Sequence, residues 1–261
     1  MKLQHARILL TGATGGLGSE LAKQLTEAGA TLLLAGRNAE RLTALQTSLG
    51  GRTAVVGADL TQADGIATVA HAAREFGANV LINNAGASLF GLLENQEWAA
   101  IEQVLATSLE APIRLTHALL PWLKAQPEAV VVNIGSTFGS LPFAGFAAYS
   151  AAKAGLRGFS QALRRELADT RVAVVHIAPR SIDTPMNSAA VTALNRALNS
   201  QSDSAADVAC EIVTALVRND RELHIGFPER FFAWLNGIAP GLIDRSLAGK
   251  LPIIKQHAAG R

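Results

Sequence analysis

Seven short runs of Val, Ile, Leu and Ala recur along the chain, and each is apolar through its centre rather than at alternate positions. They are Arg7–Thr11, Thr31–Ala35, Thr53–Gly57, Val80–Asn83, Ala129–Gly135, Val172–Ala178 and Leu223–Phe227. A strand with one wet face alternates polar and apolar residues. A strand covered on both faces does not, and such strands belong to parallel sheets. The segments between the runs carry helical spacing instead: Leu21, Leu25 and Ala28 follow the first run, and Leu42, Leu45 and Leu49 the second. Strand, helix, strand at this pitch implies right-handed crossovers and an α/β fold. The expected architecture is a doubly wound parallel sheet of about seven strands with helices on both faces. No linker, repeat or low-complexity tract breaks the pattern. Residues 1–261 are expected to form one domain, with its core over about 5–227 and an apolar helical extension over 228–261.

Composition removes several function classes. The chain is 49% hydrophobic and 17% charged, which excludes disorder and suffices for a sizeable core. Lys and Arg number 23 against 21 Asp and Glu, a net charge of +2, with no basic stripe of the kind that nucleic-acid binding needs. Cys210 is the single cysteine, so no intrachain disulfide forms and a reducing compartment is allowed. Met1 to Leu10 lacks the layout of a signal peptide, and no apolar run is long enough for a membrane span. A cytoplasmic protein without a membrane partner is expected. The histidines, His5, His71, His117, His176, His224 and His257, have no metal-ligand spacing, so no metal is expected. His176, inside a strand pattern, reads as a core residue.

The first apolar run ends in Thr11-Gly12-Ala13-Thr14-Gly15-Gly16-Leu17-Gly18, and a helix follows. Glycines there let the backbone approach a pyrophosphate and let the helix pack close to the strand. The helix N-terminus then offers free N–H groups to phosphate. Ala13 stands where a GxGxxG pattern needs its second glycine. The loop reads instead as GxxxGxG through Gly12, Gly16 and Gly18, or as GxxGxxG through Gly12, Gly15 and Gly18. A plain tight turn is the alternative. Cofactor choice is set at the end of the second run, where an acid would hold ribose hydroxyls. Here Arg37 follows Gly36, and no acid lies between Leu32 and Ala39. An acid repels a 2′-phosphate, whereas an arginine binds it with charge-assisted hydrogen bonds. One such bond is worth roughly 1.5–3 kcal/mol, about ten- to hundredfold in favour of NADP(H) over NAD(H). A solvated surface role is the alternative for Arg37, and Arg41 reads as a surface charge.

Tyr149-Ser150-Ala151-Ala152-Lys153 places a phenol and an ammonium four residues apart, on one face of a helix. A free tyrosine titrates near 10 and is a poor acid–base group at neutral pH. A cation about 4 Å away is worth roughly 4 kcal/mol at an effective dielectric of about 20. That is about three pKa units, enough to bring the phenol near the neutral range where general acid–base catalysis works best. Ser136 follows the Ala129–Gly135 run and so sits at the C-terminal edge of the sheet, where open α/β folds bind ligands.

With these residues in place the chain resembles the short-chain dehydrogenase/reductase family, in its subtype of about 250 residues. The likeness runs from Arg7 to about Phe227. It rests on the glycine loop at Thr11–Gly18, Asp59-Leu60, Asn83-Asn84-Ala85-Gly86, the set Ser136, Tyr149 and Lys153, and Pro179 with Thr184. The resemblance implies a Rossmann-like fold and an NADP-dependent oxidoreductase that moves hydride between nicotinamide and a carbonyl or secondary alcohol. It assigns the acid–base role to Tyr149, the nicotinamide ribose and the tyrosine pKa to Lys153, and the substrate carbonyl to Ser136. Asp59, beside Leu60, would contact the adenine, or merely cap the next turn. Asn83, Ala85 and Gly86 would line the adenosine side. Thr184 would hold the carboxamide, with Pro179 and the Ile182 backbone beside it, and Thr14 and Leu17 would join the glycines at the phosphates.

Two positions depart from the family pattern. Pro179 is followed by Arg180 where glycine is usual, so the long side chain points either away or toward the phosphates. Ser108 stands where an asparagine usually holds a water linked to the lysine. Ser108 is expected to weaken a proton relay, or to bond its own helix backbone. Phe90, Phe138, Leu141, Phe143, Phe146 and Met186 would line an apolar pocket for a small-molecule substrate. A catalytically silent NADP-binding sensor or scaffold is the second reading. In the extension, Phe231, Trp234, Leu235 and Ile238 share one helical face. Its expected cover is the protein's own core or a sister subunit in a homo-oligomer, dimer or tetramer. A lid over the substrate and a membrane surface are the alternatives.

Overall fold

The computed structural model describes residues 1–258. Its elements alternate for most of the chain: β1 (Arg7–Thr11), α1 (Gly16–Glu27), β2 (Thr31–Gly36), α2 (Ala39–Leu49), β3 (Thr53–Gly57), α3 (Ala63–Phe76) and β4 (Val80–Asn83). Then follow α4 (Trp98–Leu105), α5 (Ala111–Lys124), β5 (Ala129–Ile134), α6 (Ala147–Glu166) and β6 (Val172–Pro179). A two-residue strand β7 (Ile182–Asp183), helix α7 (Ala189–Ala197) and β8 (Asp203–Ser204) form an outlying loop. The chain ends in α8 (Ala205–Arg218), β9 (Glu222–Ile225), α9 (Glu229–Ile238), α10 (Pro240–Ala248) and α11 (Leu251–Ala258). Among the described residues, no helix is long and apolar enough to cross a membrane.

Seven strands form one parallel sheet in the order β3-β2-β1-β4-β5-β6-β9. The order reverses between β1 and β4, which opens a crevice at the C-terminal ends of those strands. Both faces of the central strands are buried, as their unbroken apolar runs imply, whereas the edge strand β3 is only partly covered and leaves Val55 exposed. Ile8, Leu10, Leu32, Leu34, Ile82 and Val132 pack one way against α1 and α8, through Leu21, Leu25, Ile212 and Leu216. Leu9, Leu33, Leu81 and Val131 point the other way onto α3 and α5, through Val69, Ala73, Leu115 and Leu119.

A polar row crosses this apolar sheet. Asn83, Asn133, His176 and Glu222 lie side by side on β4, β5, β6 and β9. Asn83 donates to Asn133 at 2.8 Å and to Thr116 at 3.2 Å, and Asn133 donates to Ser160 on α6 at 2.9 Å. Ser160 gives its proton to the Leu156 carbonyl, so His176 Nδ1 is the donor in its 3.2 Å contact with the Ser160 hydroxyl. His176 is fully buried, as its strand position implied, and burial lowers its pKa to about 3, keeping the ring neutral. Glu222 at the sheet edge accepts from Arg157 at 2.7 Å and Gln161 at 3.2 Å. The row therefore fixes α6 against three strands at one level, through polar groups that would be costly to leave unpaired.

The protein's own core does not cover most of the C-terminal stripe, which leaves a sister subunit as the other expected cover. Phe231, Trp234 and Ile238 are 47%, 60% and 64% exposed, and neither the body nor another helix covers them. Helix α9 turns Ala233 and Leu235 inward, with Leu141, Ile243 and Leu247, and its Asn236 donates to the Ser140 carbonyl at 2.9 Å. Helical periodicity identifies residues that share a face; it does not say which face meets the body. Helix α11 is seated through Ile254, which packs among Phe146, Val191 and Leu194.

The row makes a stability prediction. Asn133→Leu keeps the number of side-chain heavy atoms but takes one partner each from Asn83 and Ser160. A buried group left unpaired costs about 1–3 kcal/mol, and urea unfolding should read a loss of that size. A loss below about 0.5 kcal/mol would remove the row from the interactions that hold α6.

Candidate active site

A cavity of about 850 Å³ opens at the C-terminal ends of β1, β4, β5 and β6, running from Arg37 and Arg41 past the glycine turn to Tyr149 and on to α7, α9 and α10. One end is built by the turn. Gly12 has φ +62°, and a Cβ there would come within 2.8 Å of Ala85 Cα. A Cβ on Gly18 would lie 2.1 Å from the Gly12 carbonyl oxygen. These two glycines are required by the turn itself. A Cβ on Gly16 would strike Thr184 at 2.8 Å, so Gly16 keeps the β6–α7 loop close. Gly15 meets only the Gly12 oxygen, at 3.3 Å, and caps α1. The first turn of α1 carries no acidic residue, so its N–H groups and positive dipole end face the cavity uncompensated, as a bound phosphate requires. Thr14, Leu17, Ala85, Gly86, Leu60, Pro179, Ile182 and Thr184 line the same cavity.

The geometry of this end fits a dinucleotide. Arg37 and Arg41 lie at the rim beyond β2, with Asp59 beside them. Asp59 accepts from the Thr61 backbone N–H at 3.0 Å and from its hydroxyl at 2.9 Å, and these bonds, with Arg37 nearby, hold its carboxyl below the usual range. Asp59 therefore does cap the turn before α3, and it lines the cavity as well.

The other end carries the chemistry. Helix α6 presents Tyr149 and Lys153 to the cavity, and Ser136 faces them from the end of β5. Lys153 is 4% exposed, and its Nζ donates to the Ile134 carbonyl at 2.9 Å. Burial lowers its pKa to about 8. The same burial raises the Tyr149 phenol above its ordinary 10, and only the Ser136 hydroxyl acts to lower it. The expected depression of the phenol by Lys153 is thus not present in the protein alone. Nζ lies 5.8 Å from the ring centroid and is bonded elsewhere, and lost hydration outweighs attraction across that distance. Ser136 Oγ also accepts from the Phe138 N–H at 3.2 Å, which fixes the chain as it leaves β5.

The wall beside Tyr149 is aromatic. Phe138, Leu141, Phe143, Phe146 and Met186 line it, and Phe138 and Phe146 each stand 6.4 Å from the Tyr149 ring. Phe90 packs behind Phe146 at 5.0 Å, outside the cavity.

Asn83 and Ser108 stand differently from their sequence reading, and Arg180 takes one of its two expected directions. Asn83 does not reach the cavity, since its amide is spent on Asn133 and Thr116. Its neighbour Asn84 takes the exposed position and donates to the carbonyls of Thr11 and Gly12, at 3.0 and 3.2 Å. Asn84 thereby ties the glycine turn to β4. The doubled asparagine was the signal for it, because adjacent strand residues face opposite ways. Ser108 is fully buried in a π-helical turn, Ala106–Glu110, between α4 and α5. It bonds neither its own helix nor Lys153: it donates to the Ala87 carbonyl at 2.9 Å and accepts from the Ala87 N–H at 3.0 Å. With its only proton committed, Ser108 keeps one acceptor lone pair and has no proton to pass on. Arg180 points away from the glycine turn. It grips Asp203 through two bonds of 2.6 and 2.9 Å, and donates to Gln201, Glu229 and the Phe227 carbonyl. Gly226, at φ +101°, makes room for it: a Cβ there would lie 2.5 Å from Arg180 Cδ.

Comparison with known proteins agrees with this geometry. The short chain dehydrogenase family model matches residues 6–195. Dehydrogenase/reductase SDR family member 7B of Mus musculus is 33% identical over 95% of this chain and 82% of its own length. A short-chain dehydrogenase from Sphingobium yanoikuyae, solved with NADPH, is 28% identical and covers 92% of this chain and 95% of its own, with a TM-score of 0.78. A short chain dehydrogenase/reductase from Burkholderia phymatum, solved with NAD, shares the fold at 21% identity and a TM-score of 0.84, over 93% of this chain and 96% of its own. The chain belongs to the short-chain dehydrogenase/reductase family and is an NAD(P)-dependent oxidoreductase of that family.

Proposed function

We propose that the protein is an NADP-dependent oxidoreductase acting on an apolar ketone, aldehyde or secondary alcohol. The observation that carries this reading is the placing of Ser136, Tyr149 and Lys153 against an aromatic wall, at the far end of a cavity whose near rim holds Arg37 and Arg41. The α1 N-terminus and the glycine turn would hold the cofactor's phosphates, Arg37 its 2′-phosphate, Asp59 the adenine side, and Thr184 with Ile182 the carboxamide. When bound, the nicotinamide supplies or takes the hydride. Ser136 Oγ orients the substrate carbonyl oxygen. Tyr149 Oη, kept protonated by burial, gives its proton to that oxygen in reduction and takes it back in oxidation. Lys153 Nζ, anchored on Ile134, holds the ribose hydroxyls and keeps a positive charge beside the phenol. Ser108 supports this set by clamping Ala87, next to Gly86. The aromatic wall excludes water and gains energy from apolar substrate surface. A cytoplasmic homo-oligomer is part of the same reading, supported by the exposed small residues Ala147, Ala151, Ala154 and Gly158 along α6, which allow close approach of a second copy.

Three measurements test it. Tyr149→Phe should abolish turnover of a panel of apolar ketones and alcohols while leaving cofactor affinity within about twofold, because only the proton donor is lost. Retention of more than about a tenth of the activity would move the acid–base role elsewhere. Wild-type protein that binds cofactor and turns over nothing in the panel would favour a silent sensor.

Fluorescence titration should give NADPH at least about tenfold tighter binding than NADH, and Arg37→Ala should remove that preference while sparing NADH. Equal affinities in the wild type would sink the NADP assignment.

Lys153 gives a pH signature. Its pKa falls from 10.5 unfolded to about 8 folded, so between those values the unfolded chain holds more protons at this residue. Stability from this group therefore rises with pH across that window. The shift corresponds to about 3 kcal/mol. From pH 7 to 10.5 the wild type should gain up to that amount on Lys153→Met in denaturant unfolding. A difference that stays flat with pH would mean that the ammonium is not desolvated.

A further inference from the structure

Seven of the twelve large apolar side chains that stand exposed among the described residues fall in one stretch: Phe227, Phe231, Phe232, Trp234, Ile238, Leu242 and Leu251. An apolar patch of this kind on a folded protein marks an interaction surface. Phe231 and Trp234 lie 5.9 Å apart, centroid to centroid. Basic residues flank the patch on the same helical faces. Arg230 precedes Trp234 by four positions, and Arg245 follows Leu242 by three, the spacings that make neighbours on a helix surface. Residues 227–261 contain five Lys and Arg against Glu229 and Asp244, a net +3, although the whole chain carries only +2. The other 226 residues are therefore net −1. Glu229 is turned onto Arg180 at 3.2 Å and Lys250 lines the cavity, so the exposed charges of α9 and α10 are Arg230, Arg245 and Asp244, a net +1.

The opposite side of the same helices belongs to the cavity. Pro228, Phe232, Ile243, Leu247 and Lys250 line it. The helix pair α9–α10 is thus a wall with an apolar cavity behind it and an aromatic, basic face in front.

We propose that this outer face seats the protein on an anionic lipid surface. Aromatic and aliphatic side chains flanked by Arg230 and Arg245 suit the headgroup boundary, where apolar groups enter the acyl layer and cations meet anionic headgroups. A second copy fits less well, because self-pairing would press two basic faces of like charge together. Docking places the cavity wall on the membrane, so an apolar substrate dissolved there reaches Tyr149 without crossing water. That last step rests on the apolar-substrate reading above; the docking does not.

The full chain is sedimented with phosphatidylcholine vesicles, with and without phosphatidylglycerol, at low and high salt and with no substrate present. Binding to the anionic vesicles, weakened by salt, is expected. Phe231→Ser with Trp234→Ser should weaken it roughly tenfold, and Arg230→Gln with Arg245→Gln should remove the preference for phosphatidylglycerol. Neither pair lines the cavity, so turnover of a ketone supplied in water should match the wild type in both. Failure of the wild type to bind anionic vesicles, or binding unchanged in the Phe231/Trp234 pair, overturns the proposal. So does a sizing column on which the Phe231/Trp234 pair splits a larger wild-type assembly, since the face would then join two copies. Because vesicle binding is read without substrate, failure of the apolar-substrate reading leaves this result standing.

Discussion

The Lys153 ammonium is buried, and the chain gives it one hydrogen-bond acceptor, the carbonyl of Ile134. That bond joins the last residue of β5 to the second turn of α6. It places the cation at the sheet edge and sets where Tyr149, one helical turn earlier, meets the cavity. A charge taken out of water tolerates little movement away from its partner. Everything around the bond keeps it short. Asn133, the residue before Ile134, holds α6 through Ser160. His176 closes the same row from β6, and a Cβ on Gly135 would meet its ring at 2.5 Å. Ser136 caps the turn that follows. The sheet edge and the helix are therefore one rigid unit, and the site inherits its precision from the core.

Much of this was legible in the sequence, for a physical reason. Strands covered on both faces must be apolar throughout, so β1 and β4 match their apolar runs residue for residue, and β2, β5 and β6 match within one; β3 matches its run too, although as an edge strand it is only partly covered. The glycines were readable as a turn, although Gly12 and Gly18 answer to backbone crowding more than to a ligand. Asn83 was misread because a strand's last residue can face either layer. Its four-residue strand is buried throughout, so burial pattern alone could not assign the direction.

Other features have no local signature. The π-turn at Ser108 is a matter of hydrogen-bond pairing, and its sequence, Ala-Thr-Ser-Leu-Glu, is ordinary for a helix. The Tyr149 and Lys153 protonation states depend on burial supplied by residues far along the chain. The outer face of α9 was visible as a periodic stripe, but which side of a short terminal helix meets the body is decided by tertiary packing, here by Ala233 and Ile243.

Arg180 binds Asp203 and Gln201 on one side and Glu229 and the Phe227 carbonyl on the other. It therefore joins two walls of the cavity, the 181–204 loop and the entry to α9, through one side chain. Neither wall can swing without breaking charge-assisted bonds that also hold the other. One side chain remote from Ser136, Tyr149 and Lys153 thus sets how the two walls stand relative to each other, and with that the shape of the cavity between them.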